Sequence, residues 1–588
     1  MIKVSDYIFQ FLKGKGISHV FMLPGGGAMH LVDSLGTSGI EYVCCLHEQA
    51  AAIAAEAYGQ HTNNIGVALT TSGPGATNAI TGVTAGWIDS TPMFILSGQA
   101  KRSDLVGSTG VRQIGSQEVQ IVDMVKPITK YAAQILAPEE IRYHLERAYA
   151  EATTGRPGPV WLSIPLDVQS AIVDETTLHG YETESLLDAT QDVDKAIEKT
   201  IELLENSNQP LILAGNGIKL ANAQDIFYEL LNILPIPVQT TWKTIDMFGE
   251  EDRLYVGHPG AMGDRGANLI LQKADVLISI GSRLDTSLTA FNESNFGKNA
   301  KKIIVDIDAN ELNRMKVRHI EDKVFCDAKV FLEKLLESVK SRIWEQQKKK
   351  WKEWLAECHS LREKYPVVTK KHIQVQDKVS AYYFIDVLCK NLTPEDIIVP
   401  ESSGAAGEIT YQAFRVKKGQ KMKNAAGLGS MGFGLPYAIG ACLANDKKRT
   451  VLINGDGAFQ MNIQELETLQ RLNLPIKIFI WNNEGYASIR AMQKNTFDGR
   501  LVASEESSGL KMPDIRKVAK AYGIPVFLAK NNKEMEQVVP EILGFPGVVL
   551  CELLISPDET VSPRTKSYRL PDGSMKSSLL EEMWPRIE

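Results

Sequence analysis

Val451-Leu452-Ile453 runs into Gly455-Asp456-Gly457, and Ile476 to Trp481 runs into Asn482-Asn483-Glu484-Gly485. Each apolar run has the length of a buried strand. Between them Ile463, Leu466, Leu469 and Leu472 recur at a helical interval. A strand–helix–strand unit of this kind returns both strand ends to one edge of a parallel sheet, where such sheets bind ligands. Asp456 and Asn483 then offer two oxygen ligands to a hard cation such as Mg2+, which completes its octahedron with phosphates and water. Gly455 and Gly457 let the backbone approach a diphosphate. Either turn alone would bound an ordinary βαβ unit; the pair, in this order and spacing, points to a cation–diphosphate site.

The rest of the chain repeats the same logic. At 588 residues a single core is excluded and several domains are expected. From 1 to about 170, strands His19 to Leu23, Ile40 to Leu46 and Gly66 to Thr70 alternate with helical segments, including an Ala-rich one from Glu48 to Tyr58. A polar stretch from about 170 to 193 reads as a linker. A second block, 194–340, has strands Leu211 to Ala214, ending at Gly215-Asn216-Gly217, Val276 to Ile280, ending at Gly281, and Ile303 to Ile307. The Lys-, Glu- and Trp-rich residues 341 to 371 read as a solvated connecting helix. A third block, 372–555, holds the motif above, and a Pro-containing tail, 556–588, is expected to wrap over the body. Repeated βα units predict an α/β fold of three doubly wound parallel-sheet domains plus this tail.

A net charge of -7 argues against nucleic acid or an anionic membrane as the main partner. Seven scattered cysteines without CxxC spacing, a start unlike a signal peptide, and no long apolar run predict a cytoplasmic chain without a membrane span.

The motif at 455–485 resembles the diphosphate-binding motif of thiamine diphosphate enzymes, and its neighbours are similar to the acetolactate synthase branch over essentially the full length. That resemblance implies a pyrimidine-binding, a central and a diphosphate-binding domain, in this order. Glu48, in Leu46-His47-Glu48-Gln49, reads from residue type alone as an acid in a helix's first turn. By resemblance it is the catalytic glutamate that protonates the cofactor's pyrimidine; the imino tautomer then removes the thiazolium proton, and the ylid attacks a carbonyl. Gly25, in the Pro24-Gly25-Gly26-Gly27 turn, and Ser72, Pro74 and Asn78 line the cofactor pocket from the first domain. Gln117 reaches the reacting centre. In the third domain Gly404 touches the diphosphate, the Gly429 carbonyl receives the exocyclic amine, Met431 holds the cofactor bent, and Tyr486 borders the motif. Asp456, Asn483 and the Gly485 carbonyl are the implied metal ligands.

In the central domain Gly215, Gly217, Gly281, Arg283, Asp306 and Asp327 resemble flavin-binding positions, implying FAD in a structural role. Plain βα turns read equally well there, and Gly215-Asn216-Gly217 departs from the family's all-glycine turn. Ser116 and Met492 stand where the biosynthetic enzymes carry aromatics that choose the acceptor; such contacts discriminate by about 1–3 kcal/mol each. The expected activity is decarboxylation of pyruvate or a related 2-keto acid with transfer of the hydroxyethyl unit to a carbonyl acceptor. Two alternatives stay open: two-carbon transfer to a nucleotide-linked keto sugar, suggested by the long tail, and a pyruvate oxidase-type flavoenzyme. A homodimer or homotetramer with active sites at the subunit interface is implied, because opposite cofactor ends are held by different subunits.

Overall fold

The structure, a computed structural model, describes residues 1–182 and 193–587. The expected linker therefore lies in part outside the described residues. Its first part holds the strand Ile172–Val173, which pairs antiparallel with Ile2–Lys3.

Three parallel sheets carry the molecule. The first runs in the spatial order Glu41–Cys44, His19–Met22, Gly66–Thr70, Met93–Gln99, Pro159–Pro165, Tyr131–Gln134. The third runs Lys421–Met422, Ile397–Pro400, Thr450–Gly455, Ile476–Asn482, Val549–Leu554, Val526–Ala529. Counted along the chain, both repeat the order 2-1-3-4-6-5. The central sheet has five strands, Val238–Thr240, Pro210–Ala214, Val276–Ile280, Lys301–Asp306 and Ile320–Phe325. Interior strands such as Gly66–Thr70 and Met93–Gln99 are buried along their whole length, as helices on both sides of a parallel sheet require, while the edge strand Glu41–Cys44 is half exposed.

The first and third sheets share one apolar core, which extends from Phe21 to Leu550. The join is made by Glu48–Thr62 and Gly434–Leu443, a helix whose ten residues are all buried. Alanines and glycines let these helices close to backbone contact: a β-carbon on Gly440 would lie 2.0 Å from the Ala54 carbonyl oxygen.

One expectation needs correction and another an addition. The helix Glu345–Lys364 is not simply solvated, because Trp351, Trp354, Leu355 and Cys358 form a buried stripe at helical spacing. Trp351 and Trp354 donate their indole N–H groups to Ser207 Oγ (3.1 Å) and the Pro210 carbonyl (3.0 Å). The tail does lie over the body, but it also carries an antiparallel hairpin, Ser567–Arg569 with Met575–Ser577. Arg265 donates to the Met583 and Pro585 carbonyls, and Gln412 to that of Pro563, so the tail straps the third domain to the central one. Among the described residues no helix is long and apolar enough to cross a membrane, and none of the seven cysteines is in a disulfide.

Candidate functional site

In both the first and the third sheet the strand order reverses beside the first strand, opening a crevice between two strand ends. In the third sheet that crevice lies between Ile397–Pro400 and Thr450–Gly455, paired in register. Thr450–Gly455 also pairs with Ile476–Asn482, Gly455 opposite Trp481, so the turns at 455–457 and 482–485 are neighbours.

Asp456 is buried at the start of a short helix. Its Oδ1 accepts from Gly457 N and its Oδ2 from Gly485 N, each at 3.0 Å. Burial pushes its carboxyl up to about 7, against those amide hydrogen bonds. The Asn483 side-chain oxygen lies 2.8 Å from the Gly485 carbonyl oxygen and 3.3 Å from Asp456 Oδ1. Three oxygens facing one another without a proton between them repel. Ligands about 2.1 Å from an octahedral Mg2+ and at right angles to one another lie roughly 3 Å apart, which is the spacing here. Turned over, the amide would donate to both neighbours; the NH2-inward form suits the cation-free site and the O-inward form suits ligation. Gly485 is held at φ +129°, with Ser504 O 2.5 Å from where a β-carbon would sit. No other residue fits that turn.

Around these three groups, a β-carbon on Gly457 would meet the Tyr486 ring at 2.5 Å. Gly404 opens the helix Gly404–Ala413 and faces Ser488 Oγ, while the Gly429 α-carbon region faces the Ser402 carbonyl. Met431 is 37 % exposed and Met492 57 % exposed.

The first-domain residues gather at the other crevice. Gly25 packs on Thr71, and Ser72 lies against Gly27. Pro74 opens the helix Pro74–Asn78 at its first position. His47 Nδ1 accepts from Gln49 N and caps the helix that Glu48 begins. Glu48 is buried, and Asn78 Nδ2 donates to its Oε2 at 3.0 Å. A β-carbon on Gly75 would sit 3.3 Å from Oε1, so the glycine keeps that oxygen uncrowded. Gln117, at φ +59°, touches Gly73 through its backbone and is exposed, as is Ser116. The loop before it is pinned by Glu118, whose carboxylate accepts from the amides of Val106, Ile114 and Gly115.

Within this chain the two crevices are linked at their margins. Leu46 N donates to Glu465 Oε1 at 2.9 Å and Asn462 Nδ2 to Gln49 Oε1 at 3.1 Å. Among the described residues no hydrogen bond joins Glu48 to Asp456, Asn483 or Met431.

The central residues surround a cavity of about 590 Å3 lined by Gly217, Gly281, Arg283, Asp306 and Asp327. Gly215 is not in its lining; it packs under the rim, where a β-carbon would strike the Gly281 carbonyl at 2.2 Å. Burial raises the Asp306 carboxyl, and Asp327 caps the helix Ala328–Lys340 through Lys329 N. The Thr154 to Pro157 turn closes another side: Arg156 bonds Ser90 Oγ, Asp308 and Glu311.

Two residues escaped sequence reasoning. Glu401, at the end of strand Ile397–Pro400, is fully buried and burial pushes it up to about 7, despite hydrogen bonds from Ser402 N and Gly434 N. An acid closing an apolar strand was the available signal. Arg490, 2 % exposed, donates to the Asn483 and Pro557 carbonyls at 2.9 Å each and so holds the turn at 482–485.

Three family models match the chain. They are described as "Thiamine pyrophosphate enzyme" N-terminal TPP binding domain (residues 2–124), central domain (197–335) and C-terminal TPP binding domain (403–553). Similar curated proteins include the acetolactate synthase large subunit of Cyanidium caldarium, 32% identical over 93% of this chain and 92% of its own length. That of Lactococcus lactis is 31% identical over 95% and 93%. The isozyme 2 large subunit of Escherichia coli is 30% identical over 98% and 99%.

Proposed function

The chain belongs to the thiamine pyrophosphate enzyme family, in its acetolactate synthase branch, and from that premise we propose that it decarboxylates pyruvate or a related 2-keto acid and joins the two-carbon unit to a carbonyl acceptor. The carrying observation is the convergence of the Asp456 carboxylate, the Asn483 side-chain amide and the Gly485 carbonyl beside a sheet switch point. Those three are the proposed Mg2+ ligands, with Gly404, Gly455 and Gly457 backing a diphosphate. Thiamine diphosphate, when bound, supplies the nucleophile and the electron sink for carbon–carbon cleavage.

The residues of the first crevice supply proton handling. Asn78 occupies Oε2 of Glu48, so the exchangeable proton rides on Oε1, the oxygen left open beside Gly75. Gln117, Ser116 and Met492 are assigned to substrate, Met431 and Gly429 to cofactor shape. FAD is assigned to the central cavity through Gly217, Gly281, Arg283, Asp306 and Asp327, and the close contact of Gly215 with Gly281 supports that narrow turn. The domain limits 1–170, 194–340 and 372–555, the tail 556–588, a cytoplasmic setting and a homodimer or homotetramer complete the reading. Half-exposed apolar side chains beside both crevices, among them Ile114 and Met492, support a covering subunit. Transfer to a keto sugar and flavin-linked oxidation draw no support from the acetolactate synthase relatives.

The test is pyruvate consumption with thiamine diphosphate and Mg2+, the product identified by mass. Acetolactate is expected. Carbon dioxide and acetaldehyde alone would keep the donor half and replace the acceptor, and no turnover would sink the donor assignment. Glu48→Gln should fold and lose about 100- to 10,000-fold in rate; undiminished carbon dioxide release would remove Glu48 from the chemistry.

A further inference from the structure

A second cleft, of about 1010 Å3, opens where the three domains meet, away from Asp456, Asn483 and Gly485. Its walls bring together His61 from the first domain, Lys219 from the central one, and Lys421 and Lys423 from the third. Lys243 stands just behind, bonded to Gln60 Oε1 at 3.1 Å and paired with Asp89 at 2.7 Å. Lys219 pairs with Asp246. Among the described residues Lys421 and Lys423 have only neutral oxygens as hydrogen-bond partners, Asn445 Oδ1 at 2.7 Å and the Gln60 carbonyl. Lys219, Lys243, Lys421 and Lys423 thus gather against two ion-paired carboxylates, Asp246 and Asp89. Of the further acids, Asp446 acts on Lys421 together with the opposing charge of Lys448, and Glu56 is pushed up to about 7 by burial and is bonded to Gln60 and Thr91. On the far wall Arg253 and Lys418 balance Asp225 and Asp252.

His61 adds an oriented donor. Asn445 Nδ2 gives one hydrogen bond to the Ala441 carbonyl and one to His61 Nδ1, which fixes Nδ1 as an acceptor. Burial and the surrounding lysines keep this imidazole neutral, so its proton sits on Nε2. Nε2 is buried and has no partner, although the residue is only 6% exposed. Burial and the neighbouring ammonium groups likewise hold the Lys423 amine well below the usual lysine range. Clustered lysine amines and an orphaned donor in one cleft wall are the complement of an anion.

We propose that this cleft binds a phosphate-bearing small anion, gripped by Lys421, Lys423 and the His61 Nε2–H and steadied by Lys219. The ligand is of the phosphate-ester or polyphosphate class, and Tyr228 and Phe248 give the same cleft an aromatic side for an organic portion. Such an anion touches all three domains at once, so its binding stiffens their mutual arrangement and is a route for control of turnover from outside the crevices. The inference is independent of which acceptor the enzyme uses. Asp89, Asn216 and Leu220 line both this cleft and the central cavity, so the two must be told apart.

The experiment is equilibrium dialysis of radiolabelled inorganic pyrophosphate against the full chain, presaturated with thiamine diphosphate, Mg2+ and FAD. One salt-sensitive equivalent per chain is expected, weakened at least about tenfold in Lys421→Met/Lys423→Met. That double variant should also melt no lower than the parent when ligand-free, since it removes unbalanced positive charge. Absence of binding by the saturated parent, equal binding by the variant, or a variant that melts well below the parent would each overturn the proposal.

Discussion

Under the proposed Mg2+ assignment, proton and cation compete at Asp456. Burial holds its carboxyl near 7, whereas an unfolded aspartate ionises near ~4. Between those values the folded chain binds the extra proton, so this group's contribution to stability is full below about 4 and is lost as pH climbs toward 7. Cation binding needs the ionised form. Mg2+ affinity should therefore fall roughly tenfold per pH unit below 7, as calorimetric titration of the stripped chain at pH 6 and pH 8 would read; equal affinities would detach Asp456 from the site. Arg490 acts on the same turn from behind. Arg490→Met leaves the Asn483 and Pro557 carbonyls unpaired, at about 1–3 kcal/mol for each buried group. Both melting temperature and Mg2+ affinity should drop, and Arg490→Lys should recover part of each. A variant that loses stability yet binds Mg2+ normally would make Arg490 a support of the fold only.

The buried helix pair, Glu48–Thr62 against Gly434–Leu443, carries a different kind of constraint. Its closeness depends on a missing methyl group: Gly440→Ala places a β-carbon 2.0 Å from the Ala54 carbonyl and should cost about 3 kcal/mol through forced backbone movement. Gly36→Ala, in a helix with nothing within 4 Å of the added carbon, should instead gain about 0.8 kcal/mol of helix propensity. Denaturant midpoints of the two variants check both signs. This also marks what was legible beforehand. Strands such as Gly66–Thr70 and Val276–Ile280 could be read to the residue, because burial on both faces leaves an unbroken apolar run. The stripe Trp351, Trp354, Leu355 and Cys358 was equally periodic, but the lysines and glutamates around it dominated the composition. The hairpin Ser567–Arg569 with Met575–Ser577 is exposed on both strands, so no apolar period announces it. Asp456 and Asn483 could be paired because one helix separates them. The donors of Arg490 serve backbone carbonyls, and the lysines around His61 are hundreds of residues away from it; neither grouping leaves a local pattern.

At the scale of the molecule, the repeated strand order of the first and third sheets yields two equivalent crevices, one holding Glu48 and the other Asp456. Their shared core fixes both in one rigid chain, yet the side chains assigned to substrate stand open: Ser116 and Gln117 are exposed, and Met492 is 57 % exposed. A cofactor reaching from a diphosphate crevice to a buried glutamate must be enclosed to keep water from the reacting carbon, and these open faces enclose nothing alone. If the cover is a second copy, its first domain closes over the third domain of its partner, and each site takes Glu48 from one chain and Asp456 from the other. Glu48→Gln and Asp456→Asn homo-oligomers should then both be inactive. In a mixed dimer one site receives both substitutions and the other neither. With random reassortment half of the dimers are mixed, so the blend should recover roughly a quarter of parental turnover. Recovery after unfolding and refolding the two variants together, but not after mixing them folded, would fix the site at the interface. No recovery under either condition would place both residues in the same chain's site, and the exposed face around Met492 would then need another cover.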